Sequence, residues 1–420
     1  MVKASPETPK ILTLNTGDVT ALAIQSKDQP AVDLSRNSSG TWQITSPQAL
    51  AADQDSVSSV VSTLSSLESD RLIEDKISNP ASYGLASPPL QVAVTLKDSK
   101  IQRLLVGDQT PSGNAWYAML AGDPRLFTIP GYVKTSLDKS TADLRDKRLL
   151  TVDFDKVSQI QLIDQKSGKQ QDITLARNKD SWQILKPGLF RADSSSVDDL
   201  VRSLREAKME TVPTSDAAKD STTFKSATPF ATAKITAASG TQELELRKSK
   251  DDYYAKSTAV PGIYKVPATL GPSLDKSLDD LRNKKLLDFG YSEPTKLEIH
   301  DGPKSYFFTR SGTDWWDGAG KKVDEAAVQS LLSNLRDLSA TKFPDSGFTA
   351  PAIEITVTSN DDKRTDKISI AKFKDNYIAK RENEPALYEL PAASIQQVQQ
   401  SAANIKPAAP TPTSQAPTKK

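Results

Sequence analysis

The sequence predicts an α+β protein of three tandem repeats, each a mainly antiparallel β-sheet packed with amphipathic helices. Three observations predict it. Trp42-Gln43-Ile44 followed by Pro47 returns as Trp182-Gln183-Ile184 followed by Pro187, and a looser copy carries Trp315-Trp316. Ala52-Asp53 and Ala192-Asp193 trail the first two copies, and Asp324 trails the third. Behind each Asp the apolar residues fall at helical spacing. These marks divide the chain into a linker at 1–10, repeats at 11–150, 151–288 and 289–402, and a Pro/Ala/Thr tail at 403–420. Both ends are too poor in apolar residues to offset the entropy of ordering and are expected to be disordered.

Each repeat opens with short alternating stretches. They are 19–25, 31–36 and 42–45 in the first, 157–164, 171–177 and 182–185 in the second, and 296–300, 305–310 and the double Trp in the third. Alternation broken by Gly and Asn-Ser turns favours antiparallel hairpins. A helix then starts behind each Asp, whose carboxylate suits an N-cap. Val57, Val60, Val61, Leu64 and Leu67 form one apolar line, Val197, Leu200, Val201 and Leu204 the next, and Val328, Leu331, Leu332, Leu335 and Leu338 the third. Each Trp beside such a helix reads as the large core residue that seats helix on sheet.

A second strand-rich half follows, ending in Phe127-Thr128-Ile129-Pro130, Tyr264-Lys265-Val266-Pro267 and Tyr388-Glu389-Leu390-Pro391. One connecting helix is expected next, carrying Val133, Leu137 and Leu144 in the first repeat and Leu270, Leu274 and Leu281 in the second. It runs into Leu144-Arg145-Asp146-Lys147-Arg148-Leu149-Leu150 and Leu281-Arg282-Asn283-Lys284-Lys285-Leu286-Leu287, read as joints between repeats.

Composition narrows the chemistry. With 54 Lys+Arg against 53 Asp+Glu, the net charge of +1 lacks the basic surplus of a nucleic-acid binder, so no nucleic-acid partner is expected. The absence of Cys removes thiol nucleophiles, thiolate zinc sites and disulfides. His300 is the one histidine and stands at a strand end. No phosphate-binding glycine loop, nucleotide fingerprint, Gly-x-Ser-x-Gly elbow or His-Glu-x-x-His run occurs. No catalytic residue, cofactor site or metal site is therefore assigned, and the chain is read as a non-enzyme. Asp251-Asp252 and Asp361-Asp362 read as turn residues. Asn37-Ser38-Ser39 fits both a glycosylation pattern and a plain turn.

The recurring Trp-x-Ile-x-x-Pro…Ala-Asp, Tyr83-Gly84-Leu85, Phe127-Thr128-Ile129-Pro130 and Leu144-Arg145-Asp146-Lys147 segments resemble a bacterial family catalogued as a domain of unknown function, number forty-three forty. The resemblance covers nearly all of residues 10–400. It implies an extracytoplasmic region behind one N-terminal membrane helix, encoded beside ABC-transporter components of the gliding-motility and auxiliary-export type. It carries over no catalytic residue. This sequence departs from the pattern at its front, where that helix is not found, and the polar stretch before Val19 is what would follow a lost anchor. The expectation is a periplasmic or extracytoplasmic, membrane-associated scaffold or accessory subunit, with an ABC-type permease or ATPase as partner. The alternative is a binding module for an envelope glycan, lipid or peptide. Trp315, Trp316 and Trp116 are its candidate contacts, because neighbours in a strand face opposite ways. A hydrolase with a carboxylate dyad is the third reading.

Overall fold

The computed structural model describes residues 10–165, 171–179, 181–210, 217–290, 294–382 and 384–408. The fold is α+β, and its larger sheets are antiparallel throughout. The chain forms two compact units, one of Met1–Arg148 with Lys208–Ser215, the other of Leu149–Ala207 with Asp216–Lys420.

The first unit holds a nine-stranded sheet. Its order is Leu50–Ala51, Trp42–Ser46, Val32–Arg36, Val19–Ser26, Leu90–Leu96, Ile101–Gln109, Ala115–Leu120, Leu126–Pro130 and Arg71–Glu74. Two meanders thus meet side by side at Val19–Ser26 and Leu90–Leu96, with Leu22 opposite Val94. The helix Gln54–Ser65 lies between the meanders in sequence and buries Val57, Val60, Val61 and Leu64. Each such side chain contributes about 1.5–3 kcal/mol by leaving water. Asp53 caps it, accepting from Ser56 N–H at 2.8 Å. A separate two-stranded sheet pairs Lys10–Thr13 with Ser66–Glu68, which puts Lys10, assigned by composition to the linker, in a ladder.

The second unit holds an eight-stranded sheet over Val157–Val266 and a seven-stranded sheet over Lys296–Leu390. Both repeat the same meeting of meanders, at Val157–Asp164 with Thr228–Ala237 and at Lys296–Asp301 with Ile353–Ser359. Helices Ser194–Arg205 and Glu325–Asp337 follow Asp193 and Asp324, which cap them. No helix among the described residues is long and apolar enough to cross a membrane.

The connecting helix departs from expectation. It is two short helices, Gly131–Leu137 and Thr141–Leu144 in the first unit, and Leu270–Leu274 and Leu278–Leu281 in the second. Ser140 and Asp143 form a capping box that starts a new helix inside the apolar line, and Ser277 with Asp280 repeats it. A reciprocal cap satisfies amides that an uninterrupted helix would use internally, so the chain turns there. Before the C-terminal end of the described chain stands a longer helix, Ala392–Ala403, which was not foreseen. The expected disorder of 1–10 and 403–420 falls mostly on positions outside the described residues, but Lys406 and Ala408 are hydrogen-bonded.

Candidate functional site

The three Trp hairpins set their indoles into the core. Trp42, Trp182 and Trp315 stand opposite Arg36, Arg177 and Arg310 in register. Arg36 lies 4.8 Å over the Trp42 ring and Arg177 lies 5.4 Å over that of Trp182, an arrangement worth about 0.5–1 kcal/mol. In the first hairpin Gln54 ties helix to strand. Its side chain accepts from Trp42 N–H at 2.8 Å and donates to Trp42 O at 3.0 Å. Pro47 and Pro187 both follow cis peptide bonds.

Of the candidate contacts, Trp315 is 1% exposed, so it has no face for a ligand. Trp316 points the other way and is half-buried opposite Thr309. Trp116 is also half-buried and carries Lys134 over its ring at 4.9 Å. Lys134 is held there by Asp138 at 2.6 Å, and Asp138 also accepts from Ser26 Oγ at 2.5 Å. His300 meets Ser305 Oγ at 3.0 Å through Nδ1 and the edge of Phe307. Among the described residues no group of three His, Cys, Asp or Glu is arranged for a metal ion. Asn37 spends its side-chain oxygen on Ser39 and Thr41, as a turn residue does.

The polar chemistry concentrates where each capped helix meets the segment after the second strand-rich half. Asp53 N–H donates to Leu144 O, Asp193 N–H to Leu281 O and Asp324 N–H to Lys406 O, at 2.8, 2.8 and 3.0 Å. Two residues before each Asp a carbonyl accepts in return, from Asp146 to Ala51, Asn283 to Arg191 and Ala408 to Lys322. The same pair of peptide bonds therefore clasps the chain three times, and each cap Asp serves both its helix and the clasp.

In the first unit the clasp borders a cleft of about 360 Å³, lined by the acids Asp53, Asp55, Asp143 and Asp146 and by the bases Arg145, Lys147, Arg148 and Lys208 among others. Its charges oppose one another. Arg148 forks onto Asp146 at 2.6 Å. Burial alone would raise the Asp146 carboxyl, but the Arg148 guanidinium, the Arg148 N–H and the charge of Lys208 together hold it below its ordinary value. Such a cleft has no spare charge of one sign for an ionic ligand.

In the second unit the clasp is reinforced by arginines. Arg282 is buried between Phe190 and Phe343, 4.1 and 3.7 Å from their ring centres, and burial pushes its pKa down. Arg191 pairs with Glu384 at 2.9 Å and reaches Asp288 at 3.7 Å. Arg381 joins the same Glu384 at 2.8 Å and Asp366 at 2.9 Å, and donates to Leu286 O. Tyr388 donates to Glu384 at 2.7 Å, and burial raises its pKa. Sequence reading marked Arg282 through the Leu-Arg segment but missed Arg191, Glu384 and Arg381. Charge is their sole signal, and exposed residues of strands and turns give the same one.

Comparison with known proteins adds a family and no activity. Residues 42–221 and again 182–367 match the family described as "Domain of unknown function (DUF4340)". No curated protein matches. Among solved structures, a chain assigned as a DNA polymerase III beta subunit from Eubacterium rectale is 7% identical, with a TM-score of 0.19 over 91% of this chain and 93% of that one. That score carries no argument about fold or function. The two family matches together run from residue 42 to residue 367, and the chain belongs to the DUF4340 family of domains of unknown function.

Proposed function

We propose that this chain is a non-catalytic scaffold or accessory subunit of the bacterial envelope, working outside the cytoplasm beside an ABC-type transporter. We read it as three tandem repeats, each closed by its own copy of the clasp. The observation that carries the proposal is that clasp. Peptide groups make it three times over, at Asp53, Asp193 and Asp324. In the second unit Arg191 reaches Glu384 and Arg282 lies between Phe190 and Phe343, while Arg381 and Asp366 pair within one sheet, so the conspicuous charges are spent inside the fold. Residues used in this way build a fixed protein surface, which is what a scaffold offers. The transporter partner, the periplasmic location and the membrane association through a partner or an N-terminal anchor come from the family resemblance.

A tagged pull-down from detergent-solubilised host membranes tests the proposal. Recovery of a permease or ATPase is the expected result, and recovery of the chain alone from the soluble fraction would overturn it. The second reading, an envelope glycan, lipid or peptide module, now rests on Trp316 and Trp116, the half-buried indoles. Quenching by acrylamide separates it: a glycan or lipid that protects these two and leaves Trp315 unchanged favours it.

A further inference from the structure

The outer face of the nine-stranded sheet carries one row of side chains unlike its counterparts. Strand pairing sets Asp33 beside Ala23, Ala23 beside Ala93 and Ala93 beside Arg103, so the four cross the sheet in line. Leu22, Ile24, Val92 and Val94 point into the core, and alternation puts this row on the opposite face. The rows on either side are Ser35, Ala21, Thr95 and Ile101, and Gln25, Gln91, Leu105 and Met119. Those two rows hold no charge. Ile101 is 60% exposed, a large apolar side chain left in water.

In the other two sheets the same row reads Thr174, Gln161, Lys234 and Glu243, and Phe307, Glu298, Thr356 and Lys367. Larger polar side chains stand there in place of both alanines, and Lys234 answers Glu243 at 3.2 Å within its own row. In the first sheet the centre of the row is two methyl groups, low enough for a second sheet to lie on it. Its end charges are three strand spacings, on the order of 14 Å, apart and do not meet. Among the described residues no ion pair reaches Asp33 or Arg103.

We infer that this face docks a second copy of the chain, sheet against sheet, about a two-fold axis that runs along the strands. Charge selects both that partner and that axis. A half-turn about it exchanges the ends of the row, which sets Asp33 of each copy on Arg103 of the other and Ala23 on Ala93. A half-turn about the axis across the strands would instead set Asp33 on Asp33 and Arg103 on Arg103. A two-fold contact makes every pair twice, so one acid and one base per chain give two ion pairs. Each is a charge-assisted hydrogen bond at the border of a dry alanine centre. Ile101 then lies over Ser35 of the other copy and is covered. The inference is independent of the transporter assignment, because it concerns only how two copies of this chain meet.

Sedimentation velocity of the full chain across the micromolar range is the test. A dimer is expected. Asp33→Arg or Arg103→Asp alone should weaken it about a hundredfold, since either change sets like charges together twice. The double variant, Asp33→Arg with Arg103→Asp, swaps the two signs and should restore the dimer. Should these variants misfold by circular dichroism, Ala93→Lys decides. It copies Lys234 of the eight-stranded sheet, a position where a lysine is accommodated, and it should leave the chain monomeric. A monomeric parent, single reversals that leave the dimer intact, a folded double variant that stays monomeric, or a dimer unmoved by Ala93→Lys would overturn the inference. Failure of the membrane pull-down would leave this result standing, and the converse also holds.

Discussion

At Asp193 one carboxylate works against its own burial. Burial raises its pKa, but the Ser195 hydroxyl, the Ser196 N–H and the charge of Lys284 together lower it below the ordinary value. A depressed folded-state pKa stabilises the fold above the unfolded value of about 4 and loses that contribution as pH falls through the folded value. Asp193→Asn keeps a good capping side chain and should lose little stability at neutral pH. Urea unfolding followed from pH 6 to pH 2 should show a shallower acid decline for this variant than for the parent. Asp193→Ala removes the cap and should cost about 1 kcal/mol at neutral pH. The adjacent tryptophans offer a sharper contrast. Trp315→Ala opens a cavity in the core and should cost about 3–5 kcal/mol. Trp316→Ala, at a half-buried site, should cost under about 1 kcal/mol by the same denaturation assay.

At the scale of elements, Arg282 links two rings across its joint. Arg282→Ala removes both ring contacts and the packing of its stem, and should cost about 2 kcal/mol or more, whereas Arg282→Met should recover the packing part. Chemical denaturation of the two variants checks the order. What was legible in sequence follows from the same physics. Val57, Val60, Val61 and Leu64 announce their helix because burial of one face imposes the helical period. The strand pairs are legible for the same reason, as Ile160, Leu162 and their neighbours alternate between core and water. The break at Ser140 was hidden because Val133, Leu137 and Leu144 keep helical spacing across it. The capping box that decides the matter needs only Ser140 and Asp143, and the same residue types are common on helix surfaces. The two-residue strands Leu50–Ala51 and Phe190–Arg191 carry no periodicity at all. Among the candidate contacts, sequence alone could say that Trp315 and Trp316 face opposite ways but not which of them is buried, because the parity of a strand is set by its neighbours.

At the scale of the whole chain, two compact units predict two unfolding transitions in calorimetry. The sheets over Val157–Val266 and Lys296–Leu390 share one unit and the arginine network. Removing the shared acid by Glu384→Ala should therefore lower a single transition, by about 1–3 kcal/mol, since it takes from Arg191 and Arg381 the half-buried carboxylate they share. The other transition should not move. A shift of both, or of neither, would show that the network does not hold those sheets as one cooperative body.

The clasp also bears on which substitutions its three sites tolerate. Its bonds run through Asp324 N–H to Lys406 O and Ala408 N–H to Lys322 O, so the residue between, Pro407, is asked for no proton. The corresponding positions hold Arg145 and Arg282, yet a proline can take their place without losing either bond. Side chains at this position can thus change while both clasp bonds keep their partners; a proline at Arg145 or Arg282 would give up only the N–H bond to Thr141 O or Leu278 O that ends a short helix.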